Sequence, residues 1–114
     1  MRATDKFFKK QKIVRRSYDI SEKMYERLTF LSQNIYEASV NKLVCAAIEH
    51  LLKTNDVRLY SKEESDFYSK RTFALPEELV IGLDQFSTRY NVGVSILVNI
   101  AIHNLLEEEA EYFK

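Results

Sequence analysis

The chain repeats itself. Arg15-Arg16-Ser17-Tyr18-Asp19-Ile20 returns 55 positions later as Lys70-Arg71-Thr72-Phe73-Ala74-Leu75. The order base, arginine, small hydroxyl, aromatic and branched aliphatic is kept, and one position differs, Asp19 against Ala74. From Ser17 onward the segment alternates, with Tyr18 and Ile20 on one side and Ser17 and Asp19 on the other. Alternation over a few residues, rich in aromatic and branched side chains, predicts a short half-buried strand, which Ile13-Val14 extends by a residue or two. A strand this short needs a partner, and the second copy is at hand.

The repeat continues into helices. Ser21 is a good N-cap type, followed by Glu22, and Met24, Leu28, Leu31 and Ile35 form one apolar stripe. In the second copy Pro76 replaces Ser21, Glu77 follows, and Leu79, Leu83, Phe86 and Tyr90 repeat the stripe. After a short turn the offset falls to 54, and Ser39 and Gly93 stand at the next N-caps. Val40, Leu43, Val44, Ala47, Ile48 and Leu51 then recur as Val94, Leu97, Val98, Ala101, Ile102 and Leu105. Two unrelated helices do not match at every apolar position, so the chain is an internal duplication.

These boundaries divide one domain, 1–114, into a basic arm (1–11), a first strand-helix-helix unit (12–53), a connection (54–68), a second unit (69–107) and an acidic tail (108–114). The connection is too rich in apolar residues (Val57, Leu59, Tyr60, Phe67, Tyr68) to be a free linker, and it is expected to lie on the body. The formal net charge is zero, but the charge is unevenly placed. Residues 1–16 hold seven Lys and Arg against Asp5, and residues 107–114 hold four Glu against Lys114. Charges act within about 10 Å at moderate salt, so the two ends do not cancel.

Strand, helix, turn, helix in a short span, with polar residues on the outward strand face, resembles the ribbon-helix-helix family (Arc-, MetJ- and CopG-like repressors). Two copies in one chain resemble its tandem, TraY-like architecture. The resemblance implies a mainly α fold with a short two-stranded antiparallel ribbon, the two units forming an intramolecular pseudo-dimer. It also implies a ribbon that enters the DNA major groove. The expected partner is double-stranded DNA, and the expected role is that of a transcriptional repressor or a plasmid or viral accessory factor in a prokaryotic cytoplasm. The protein is expected to act as a monomeric pseudo-dimer or as a higher oligomer on DNA.

Strand alternation divides the labour. Tyr18, Ile20, Phe73 and Leu75 are expected to face the helices. Arg15, Ser17, Asp19, Lys70, Thr72 and Ala74 are expected to face the bases. A basic residue there reads guanine or binds phosphate, a hydroxyl donates or accepts, Asp19 accepts from the cytosine amine, and Ala74 touches a thymine methyl. The other reading of Asp19 is a helix cap or an ion pair with Arg16. Because the two copies present different outward residues, the DNA site is expected not to be a clean palindrome. Phosphate contacts are expected from Lys12, Arg16 and Arg71, and from two helix starts, Ser39-Val40-Asn41 and Gly93-Val94-Ser95, whose N–H groups and dipole favour anions.

Other functions find less support. One cysteine, Cys45, makes no disulfide framework or thiolate cluster, and it is read as an inert helix thiol. His50 and His103 do not align between the copies and are read as helix histidines rather than ligands. No catalytic constellation stands out, so neither an enzyme nor a cofactor or small-molecule ligand is expected. No stretch is long and apolar enough for a membrane span, and no apolar leader follows the basic start. The competing reading is a protein-interaction module, an antitoxin or adaptor whose helices or acidic tail bind a protein partner.

Overall fold

A computed structural model gives the fold of residues 11–113. Apart from Gln11, the basic arm lies outside the described residues. The order is β1 (Ile13–Ser21), α1 (Glu22–Asn34), α2 (Val40–Thr54), β2 (Tyr68–Pro76), α3 (Glu77–Tyr90), α4 (Val94–Glu108) and a 3-10 turn (Ala110–Phe113). The architecture is mostly helical, with one two-stranded antiparallel sheet. The strands pair along their whole length, from Ile13 opposite Pro76 to Ser21 opposite Tyr68, with Ser17 opposite Thr72 at the midpoint.

The helix boundaries follow local chemistry. The Ser21 hydroxyl oxygen accepts from the Met24 N–H at 3.2 Å. Asp66, from the connection, reinforces that end. Its carboxylate accepts from the Ser21 hydroxyl and, at 3.3 Å, from the Lys23 N–H, so a negative charge meets the positive end of α1. Pro76 closes β2 and leads into α3, whose first turn carries Glu77 and Glu78 in place of a side-chain cap. Asn55 and Asn91 end α2 and α3 in the left-handed region, at φ 56° and 53°, which asparagine tolerates better than most residues.

One face of the sheet lies on the helices. Tyr18, Ile20, Phe73 and Leu75 are buried, as their parity predicts. Beneath them Leu28, Leu31, Val44, Ile48, Leu83, Val98 and Ile102 are fully buried. Each such side chain removed from water is worth about 1.5–3 kcal/mol before entropy is charged against it. Gly82 leaves room on α3 for the Leu52 side chain of α2, since a Cβ there would lie 2.6 Å from Leu52 Cδ1.

The two second helices are buried to different extents. On α2 the buried residues are Leu43, Val44, Ala47, Ile48 and Leu51. On α4 the same stripe is joined by Asn99 and Ile100, and at its far end Leu106 is buried where the repeat predicts Leu105. Two packed segments account for this. Val57 and Tyr60 of the connection pack on the core, and the Tyr60 ring stacks on His103 at 4.3 Å. The Asn104 amide donates to the Asp56 carbonyl at 3.0 Å. The connection therefore lies on the body at α4, while the corresponding face of α2 (Ala46, Glu49, His50, Lys53) stays exposed. At the C-terminal end, Phe113 meets Phe30 edge-on at 5.8 Å, with the Arg27 guanidinium 5.7 Å from its ring.

The last helix runs into the acidic segment as far as Glu108, after which the chain tightens into the 3-10 turn. Three of the four glutamates meet partners on the body. Glu107 lies 3.4 Å from His103 and Glu108 lies 3.3 Å from His50, and Glu109 accepts from the Tyr36 hydroxyl. That bond holds the phenol protonated, pushing its pKa up to about 12. No helix among the described residues is long and apolar enough to cross a membrane.

Candidate nucleic-acid interface

The outer face of the ribbon carries the six residues that alternation assigns to it. Arg15, Ser17, Asp19, Lys70 and Thr72 are exposed, and Ala74 is half-buried. At the centre the Ser17 and Thr72 hydroxyls share a hydrogen bond of 2.6 Å. On one side of this pair Arg15 stands opposite Ala74; on the other, Asp19 stands opposite Lys70. The two ends of one face thus differ in charge, a lone guanidinium at one and a carboxylate beside an ammonium at the other.

Each strand is held from below by the start of a second helix, always at the same repeat position. In the first half the Asn41 amide closes a two-way bond with Ala74, accepting from its N–H and donating to its C=O, both at 2.8 Å. In the second half the equivalent strand residue is Asp19. Its N–H donates to the Ser95 hydroxyl at 3.2 Å, and its C=O accepts from the Asn99 amide at 2.7 Å. The Asn99 oxygen also accepts from the buried Ser21 N–H at 3.0 Å. Cys45 takes the position of Asn99 in the first half, with its sulfur 3.6 Å from the Ala74 carbonyl. Burial, then the nearby Glu49 charge, pushes the Cys45 thiol pKa up, which keeps it protonated.

The predicted phosphate-contacting residues divide into two groups. Arg16 is exposed, and its guanidinium donates to the Arg15 carbonyl at 2.9 Å. Lys12 is exposed and lies 3.1 Å from Glu77. Arg71, the repeat equivalent of Arg16, is turned inward. It donates to both Glu22 carboxylate oxygens at 3.1 Å and lies 3.8 Å from the centre of the Tyr25 ring. A hydrogen bond from Ser69 and, after burial's opposing effect, the bond and charge of Arg71 hold the Glu22 carboxyl below its ordinary range. The two helix starts also differ. Ser39 caps α2 by accepting from the Lys42 N–H at 3.1 Å, and Val40 and Asn41 behind it are half-buried. Gly93 leaves α4 without a side-chain cap, followed by half-buried Val94 and Ser95.

Asp19 makes no ion pair with Arg16 among the described residues; its main chain, rather than its carboxylate, is what the fold uses. The two histidines each have a carboxylate within reach, yet no group of three potential metal ligands forms among the described residues. Sequence reasoning assigned nothing to Asn99, although a lone amide inside the apolar run Leu97-Val98-Asn99-Ile100-Ala101 is the pattern of a buried polar group with a structural bond to make. It also missed a cleft of about 600 Å³ at the start of α4, lined among others by Asp19, Leu59, Tyr60, Lys62 and Ser95. Compared with known families, curated proteins and solved structures, the chain matches no family model, no curated protein and no solved structure.

Proposed function

We propose that this chain is a sequence-specific double-stranded DNA-binding protein that inserts its two-stranded ribbon into the major groove, as a transcriptional repressor or an accessory factor at a DNA locus. The observation that carries this reading is the solvent-facing side of the ribbon. Arg15, Ser17, Lys70 and Thr72 stand exposed on an antiparallel pair whose other side is buried. A two-stranded ribbon fits the major groove, where each base pair shows a distinct set of donors, acceptors and methyl groups. The ribbon-helix-helix resemblance supports the same reading, and so does the register. Ser17 and Thr72, equivalent in the repeat, face each other at the midpoint, as residues on a two-fold axis do. The two units thus act as an intramolecular pseudo-dimer, with both strands of the reading head supplied by one chain.

The test is binding to a random duplex pool at several salt concentrations, with Arg15→Ala/Lys70→Ala alongside. Enrichment of specific sequences, an affinity that falls steeply with salt as for roughly 4–8 phosphate contacts, and loss of enrichment in the double variant are expected. A second reading, a protein-interaction module, is favoured by Leu59, 78% exposed beside the cleft at α4. Absence of duplex binding at low salt would leave that reading standing.

A further inference from the structure

We infer that the ribbon is directional, so that one chain occupies a non-palindromic duplex in a single orientation. This inference rests on the DNA-binding reading above. Outward residues are distributed about the central Ser17–Thr72 pair, and the antiparallel register fixes which of them share an end. One end presents Arg15 beside the Ala74 methyl group. The exposed Arg16 adjoins it and has no carboxylate partner among the described residues. The other end presents Asp19 beside Lys70, and there the equivalent arginine, Arg71, is tied to Glu22 and laid on Tyr25. A symmetric dimer offers the same groups to both half-sites. This ribbon offers a guanidinium and a methyl to one half, and a carboxylate and an ammonium to the other.

Base chemistry converts that difference into direction. An arginine suits guanine O6 and N7, and a methyl suits the thymine C5 methyl. A carboxylate has acceptors only, so among the base edges of the groove it favours the amino groups of cytosine or adenine and is repelled by keto oxygens and phosphates. Turning the chain end for end puts Lys70 where Arg15 was and sets the Asp19 carboxylate where the Ala74 methyl was favoured. Each mismatched placement lowers affinity by roughly ten- to a hundredfold, the scale of one well-made base contact. Asp19 is suited to this task because its side chain is not needed by the fold. Its N–H and C=O alone hold the strand to Ser95 and Asn99.

The experiment is base-by-base selection from a random duplex pool with the wild-type full chain, Arg15→Ala, Asp19→Ala and Asp19→Asn, each first shown by circular dichroism to melt like wild type. The expected wild-type site is asymmetric. Arg15→Ala relaxes preference in one half alone, and Asp19→Ala relaxes it in the opposite half alone. Asp19→Asn changes the preferred base in that same half toward adenine, which an amide pairs on N6 and N7. A palindromic site, or substitutions that each blur both halves equally, would overturn directionality and leave DNA binding intact. No enrichment with the wild-type chain at any salt would overturn the DNA-binding reading, and directionality with it.

Discussion

The two second helices, α2 and α4, begin from one pattern and reach different surroundings. Both bury the same valine, leucine, alanine and isoleucine stripe beneath the ribbon. Both grip the opposing strand at the same repeat position, Ala74 in one case and Asp19 in the other. The grip, however, is made by both ends of the Asn41 amide in the first half, with only the weak Cys45 thiol bond beside it, and shared by Ser95 and Asn99, one turn apart, in the second. What the two halves share is the strand's satisfied backbone, not the residue that satisfies it. Unpaired N–H and C=O groups against a core are costly whoever their partner is, so several side-chain arrangements can meet the same demand.

The stripe predicts equality. Ile48→Ala and Ile102→Ala both empty fully buried sites and are each expected to destabilise by about 2–5 kcal/mol in urea unfolding. A large gap between them would mean that the halves do not share one core. The grips predict inequality. Asn99→Ala strands the buried Ser21 N–H and the Asp19 carbonyl and should lower stability by about 2–4 kcal/mol, while Asn41→Ala, at a half-buried site where water can enter, should cost about 1–2 kcal/mol. Equal losses would remove the distinction drawn between the helices.

The smallest expected effect concerns the two ribbon arginines. Glu22 holds Arg71, and nothing comparable among the described residues holds Arg16. Because the folded pKa of Glu22 is lowered from 4.5, its contribution is fully present above that value and is lost as pH falls through the folded value. In Glu22→Gln this acid-side loss should be missing from the pH dependence of stability, while the alkaline side is unchanged. An identical acid limb in variant and wild type would show that Ser69 and Arg71 do not hold the carboxyl below its ordinary range.

Much of this was legible in the sequence because the determining interactions are local or periodic. Period-two alternation gave the buried Tyr18, Ile20, Phe73 and Leu75, the helix stripes gave most of the core, and Ser39 stood at its cap as its side-chain chemistry requires. The rest depends on contacts between residues far apart in the chain. Nothing near Arg71 in sequence announces Glu22 and Tyr25, which come from the other half. The full burial of α4 likewise depends on where the connection lies, and the C-terminal turn on Phe113 reaching α1. A repeat specifies what its two copies have in common; the segments outside it decide how they differ.

The central claim is that the ribbon reads the major groove, and methylation interference on the selected duplex tests it most directly. Dimethyl sulfate marks guanine N7 in the major groove and adenine N3 in the minor groove. The account predicts that N7 methylation of a guanine within the site abolishes binding while adenine N3 methylation at the same site is tolerated. Interference from adenine N3 with none from guanine N7 would place the protein in the minor groove and contradict it.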